Sequence, residues 1–124
     1  MSFNISFDPD AKIVMAKISG RVSPQDQNTA RREALRVCRE NNSLKILLDL
    51  RELNTQDITV MDCFAFGESF PLLSPKACIA HVLPIDEKSK KDVKFTSNVS
   101  ANRGLLTGDF ETVDQARSWL MRLQ

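Results

Sequence analysis

The chain has 124 residues, 42% of them apolar, with 17 Lys plus Arg against 16 Asp plus Glu. That length makes one domain with a real core, and a net charge of +1 lacks the clustered basic excess with which nucleic-acid binders hold phosphate. No run approaches the roughly 18 apolar residues of a membrane span, and Cys38, Cys63 and Cys78 are too few and too widely spaced for a disulfide framework or a CxxC site.

In chain order, Phe3, Ile5 and Phe7 alternate with Ser2, Asn4 and Ser6, the period of a strand with one apolar face. Asp8-Pro9-Asp10 is turn chemistry, and Lys12 to Ser19 is a second strand that closes an antiparallel hairpin, with Gly20 as its end. Ser23-Pro24-Gln25-Asp26 starts a helix: Ser23 caps, Pro24 suits the first helical position, and Asp26 reaches back. Ala30, Ala34, Val37 and Cys38 recur at helical spacing as its buried face, while Arg31, Arg32, Arg36 and Arg39 project away from most of that stripe. Asn41-Asn42 stops it.

Leu44 to Leu50 has five Leu or Ile residues in seven. A strand covered by helices on both faces reads as a near-continuous apolar run, so this is the expected central strand. Arg51 to Gln56 reads as polar loop, and Asp57 as the cap of a second helix ending near Ser69, with Pro71 beyond it. Ile58, Val60, Met61, Cys63, Phe64, Ala65, Phe66 and Phe70 leave that helix little polar face. Lys76 to Leu83 is a further buried strand and Asp86 to Arg103 a polar third helix, with Val93, Thr96, Val99 and Ser100 or Arg103 as its inner stripe. Leu105 to Phe110 is a last strand, and Thr112-Val113-Asp114-Gln115 opens the final helix, striped by Val113, Ala116, Trp119 and Leu120. The expectation is one α/β domain over residues 1–124, ordered ββαβαβαβα, mainly parallel after the hairpin, with right-handed crossovers.

Three stretches carry a resemblance: Ile13 to Asp26, Lys45 to Leu53, and Phe110 to Leu120 with its Ala-x-x-Trp-Leu ending. Together they resemble the STAS superfamily, the anti-sigma-factor antagonist fold, in its SpoIIAA-like branch. The resemblance implies two roles. One is a partner switch, controlled by phosphorylation of a serine in an Asp-Ser-Ser-Gly type motif at the start of the helix after the central strand. On this chain the acid falls on Asp57, the serine and glycine are missing, and Thr59 supplies the nearby hydroxyl. The other follows from the branch's likeness to lipid-carrying CRAL-TRIO domains: an apolar ligand or membrane-surface contact, with no catalytic residues to carry over.

The residues themselves direct attention to Ile58–Leu73. Phe64 and Phe66 lie about 200° apart at roughly 100° per residue, so one stripe cannot hold both. The surplus is expected either to be covered by a neighbouring helix or a second copy in a homodimer, or to wall an apolar ligand site formed by Met61, Phe64, Phe66, Phe70 and Leu72. Lys90, Lys91 and Lys94 can frame a membrane- or partner-facing edge beside that helix. His81, the one histidine, cannot form a multi-histidine metal site. It reads as structural, since catalysis would need a nucleophile and an orienting acid beside it. No Gly-rich phosphate loop is present. The sequence therefore predicts a non-catalytic cytoplasmic binding module without cofactor or metal. Its rival is a partner switch working through the Arg51–Thr59 loop.

Overall fold

The structure, a computed structural model, describes residues 1–123. The chain forms β1 (Ser2–Asp8), β2 (Ile13–Arg21), α1 (Pro24–Asn41), β3 (Lys45–Asp49), β4 (Leu53–Asn54), α2 (Val60–Leu73), β5 (Cys78–Val82), α3 (Glu87–Asn102), β6 (Leu106–Phe110) and α4 (Val113–Arg122). β1 pairs antiparallel with β2, and β2, β3, β5 and β6 are parallel in that order. The expected α/β order is the observed one. The one addition is β4, which pairs with the end of β2 inside the stretch read as loop. Two residues carry no periodicity, so no pattern announces such a strand.

Local chemistry accounts for most boundaries. Asp8 Oδ1 accepts from the backbone N–H of Asp10 and Ala11, which folds the first turn. The Ser23 hydroxyl accepts from Asp26 N at 3.0 Å while the Asp26 carboxylate accepts from Ser23 N at 2.9 Å, a reciprocal cap. Asn42 ends α1 at φ 54°, a left-handed position that asparagine tolerates.

The second helix departs from expectation at both ends. Its cap is Thr59, whose hydroxyl accepts from Asp62 N at 3.1 Å as Asp62 reaches back to Thr59 N. Asp57 is drawn instead into a two-point pair with Arg21, at 2.7 and 3.1 Å. The helix also runs through Pro71 to Leu73. Proline there donates nothing to the carbonyl four residues back, that of Gly67, and the Ser100 hydroxyl of α3 donates to this orphan at 2.6 Å. A long-range contact thus removes much of the cost of an internal proline. Gly67 has a second task. A Cβ there would stand 2.7 Å from the Thr96 carbonyl and 3.0 Å from Val99, so α2 and α3 approach closely only because this residue has none.

The strands present two apolar faces, as the central run implied. On one, Ile13, Leu47, Ala80 and Val82 pack against Ala116 and Leu120 of α4, all fully buried. Gly108 leaves room on that side for the Phe110–Trp119 ring pair, 5.5 Å between centroids. On the other, α1, α2 and α3 cover two separate clusters. One gathers Val14, Ile46, Ile79, Cys38 and Phe70, the other Val22, Leu50, Leu53, Cys63 and Val93.

Candidate functional site

Between those two clusters lies a cavity of about 80 Å³, open to the surface between α1 and α2. Its floor is the sheet: Ile18, Ile46, Leu48 and Leu50, with His81 among them. Ala30 and Ala34 of α1 form one wall and Phe66, Phe70 and Cys63 of α2 the other. Two small residues on α1 hold the backbone close to the sheet without filling the space. Phe66 and Phe70 meet edge to face, centroids 6.1 Å apart, which fixes the ring surface the cavity sees. The volume is about half of the ~150 Å³ that admits benzene in an apolar protein cavity. As packed, the space accepts a short apolar group.

Arg31 spans the mouth. Its Nη1 donates to Ser69 Oγ at 2.8 Å and to the Phe66 carbonyl at 3.3 Å, and its Nη2 donates to Asn28 Oδ1 at 3.0 Å. The guanidinium lies 4.3 Å from the centre of the Phe66 ring and 5.5 Å from that of Phe70. Such contacts are worth about 0.5–2 kcal/mol, depending on desolvation. Burial lowers the Arg31 pKa from its ordinary value, although a guanidinium stays charged at any ordinary pH.

The far end of the cavity is polar. Thr55 donates its backbone N–H to Ser89 Oγ at 2.9 Å and its hydroxyl to Asp92 at 2.6 Å, and Lys88 donates to Asp92 and to the Thr55 and Ile58 carbonyls. This network ties the loop before α2 to α3 and is internally satisfied. Lys88 is thereby committed to structure. Of the other lysines considered, Lys91 and Lys94 are exposed and Lys90 half-buried, and none has an ion-pair partner among the described residues.

The residues expected to form one ligand site divide between two surfaces. Phe66 and Phe70 line the cavity, with Phe70 only 6% exposed. Met61, Phe64 and Leu72 face outward, at 72%, 36% and 81% exposure, and none lines the cavity. The apolar surplus is therefore real, and its outer half is open. Phe64 is partly covered by Arg103, whose guanidinium lies 5.3 Å from the ring centre. Thr59 is exposed at the start of α2, its hydroxyl engaged as the cap.

Strand register and helix approach place further groups at the cavity without a local signal in the sequence. His81 Nδ1 lies 3.1 Å from Asp109 Oδ1, because β5 and β6 pair these two residues in register. An orienting acid is thus beside the histidine. Cys63 lines the same cavity, but burial pushes its thiol up, which keeps it protonated at neutral pH. The couple therefore faces no ionised thiolate. By helical spacing Arg31 belongs with the outward arginines. Its reach to α2 is a tertiary contact without a local signal.

The strand order never reverses between β2 and β6, so the crevice where doubly wound sheets bind nucleotides is missing among the described residues. What fold and site define is a mixed α/β sheet with one closed face and one face holding an apolar cleft beneath three helices. No protein-family model matches the chain, and no curated protein is similar to it in sequence. Among the described residues, no helix is long and apolar enough to cross a membrane.

Proposed function

We propose that this protein is a non-catalytic binding module of the SpoIIAA-like kind, which holds a small apolar ligand, or the end of a lipid chain, in the cleft between α1 and α2. The observation that carries the reading is the cavity itself: an apolar space over the middle of the sheet, opening between two helices, with a few polar groups at its mouth and end. The lining has the make-up of a ligand site, in a space of about 80 Å³ that is smaller than the roughly 300–1,000 Å³ usual for drug-sized ligands. The exposed Met61, Phe64 and Leu72 support a further contact through the outer face of α2, with a second copy or a membrane surface, and Lys91 and Lys94 supply positive charge on the neighbouring helix.

Native mass spectrometry of protein purified without detergent tests both parts. A mass excess that vanishes on denaturation, and is absent from Ala34→Leu, is the expected result. An adduct retained by Ala34→Leu would remove the cleft from the account. Subunit count comes from the same spectrum, and a dimer is expected to revert to monomer in Met61→Glu/Phe64→Glu.

The second reading is the partner switch. It is favoured by Thr59 standing exposed as the cap of α2, where an added phosphate would meet the helix's positive end. Its hydroxyl already serves Asp62 N, so modification would break the capping box. Phosphotransfer to Thr59 in a lysate, lost in Thr59→Val, would favour this reading.

A further inference from the structure

Arg31 is unlike the other arginines of the chain. Arg21, Arg36, Arg51, Arg103 and Arg117 each pair with a carboxylate. Arg32, Arg39 and Arg122 are exposed, where water serves them. Arg31 is half-buried at the mouth of an apolar cavity, and its hydrogen-bond partners are all neutral: a carbonyl, a hydroxyl and an amide oxygen. Removing a charge from water is costly unless an opposite charge compensates, so buried charges are ordinarily paired. No carboxylate among the described residues does this for Arg31.

A guanidinium has five N–H donors. The recorded bonds use two on Nη1 and one on Nη2. The Nε–H and one Nη2–H are left, and these two nitrogens share an edge of the planar group. Two N–H donors on one edge are what a carboxylate takes up as a fork. Gln27, one helical turn before Arg31, also lines the cavity and offers an amide near the same mouth. Beneath this charged rim the walls are aliphatic and aromatic: Ala30, Ala34, Leu48, Phe66.

We infer that the cleft binds a short- to medium-chain aliphatic monocarboxylate, its chain in the cavity and its carboxylate on Arg31 at the mouth. The inference rests on the ligand-binding reading and names the chemical class that reading leaves open. The cation selects the acid over neutral and cationic amphiphiles of equal length. The cavity's volume of about 80 Å³ limits how much of the chain is enclosed, so affinity gained per methylene is expected to level off as the chain outgrows it. Arg31 also ties α1 to α2 through Phe66 and Ser69, so a carboxylate that turns the guanidinium would loosen the mouth as it binds.

Amide chemical-shift titrations at pH 7 test this with three ligands of one chain length: hexanoate, 1-hexanol and hexylammonium. The expected result is shifts at Ala30, Ala34, Leu48 and Phe66, with hexanoate binding at least about tenfold more tightly than 1-hexanol, as roughly 1.4 kcal/mol of charge-assisted bonding would give, and hexylammonium weakest. Arg31→Gln is expected to abolish the preference, so that within that variant hexanoate binds no more tightly than 1-hexanol. Arg31→Lys, which keeps the charge and loses the fork, should fall between. Equal affinity for hexanoate and hexanol in the unmodified protein overturns the inference and leaves the apolar cleft standing. Shifts caused by neither ligand overturn both. The comparison of ligands on the unmodified protein decides the matter even if the Arg31 variants fail to fold.

Discussion

The α4 face of the sheet and the face beneath α1, α2 and α3 are built from alternate residues of the same strands, yet they are filled differently. Under α4, Ile13, Leu47, Ala80, Val82, Ala116 and Leu120 leave nothing exposed, and one helix suffices. Under the other three helices the core divides into two clusters with a cavity between them. Alternating side chains of one strand thus serve different ends: Leu47 closes one face and Leu48 lines an opening on the other. The difference teaches where adaptable space lies. A close-packed face resists any change of volume, whereas a face with a cleft can change its contents without losing its frame.

Leu120→Ala is expected to have the largest effect, since Leu120 is fully buried on the closed face. On the closed face this deletion should cost about 2–5 kcal/mol in chemical denaturation, and a cost of under about 1 kcal/mol would mean that α4 is not the close-packed lid described. Next come paired enlargements. Ala116→Leu should lose about 1–3 kcal/mol by overpacking. Ala34→Leu, which points into the cavity, should lie within about 0.5 kcal/mol of the parent or stabilise it. Equal losses would show that the two faces do not differ in free space. Gly67→Ala belongs between these, at about 1–3 kcal/mol, since its methyl group meets the Thr96 carbonyl. Thr59→Ala should cost about 1 kcal/mol through loss of the cap, read from thermal unfolding, and far less would mean that the cap frays in solution.

The smallest effect expected is acid sensitivity at Asp49. The Arg51 guanidinium, at 2.8 and 2.9 Å, holds the Asp49 carboxyl below its ordinary value against the opposing effect of burial. A carboxylate whose pKa is lowered by folding stabilises the protein above the unfolded value, near 3.8, and the contribution is lost as pH falls through the lowered folded value. Melting temperature followed downward from pH 5 should therefore drop more steeply for the parent than for Asp49→Asn. Parallel curves would assign the acid transition to other carboxylates, such as Asp8 beside Arg117 and Asp57 beside Arg21.

Much of the frame was legible because its signals are local. Alternation at Phe3, Ile5 and Phe7, caps at Ser23 and Thr112, and the Leu-rich run at residues 44–50 each act within a few residues of themselves, and the elements stand where they indicate. Errors arose where a distant partner intervened. Asp57 looks like a cap, but Arg21 at the end of β2 claims it. Pro71 looks like a terminator, but Ser100 satisfies the carbonyl that the proline abandons. Leu44 looks like part of the strand, yet it lies just outside it, 48% exposed.

The order of strands and helices, the two-faced burial of the central strand and the apolar excess of α2 are written in the residues alone, because periodicity and capping are properties of neighbouring residues. Tertiary structure decided how that excess divides, with Phe66 and Phe70 inward and Met61, Phe64 and Leu72 outward. It also decided that His81 meets Asp109, and that Arg31 crosses from α1 to the mouth of the cleft. These follow from strand register and helix approach, which are set by the fit of residues far apart in the chain.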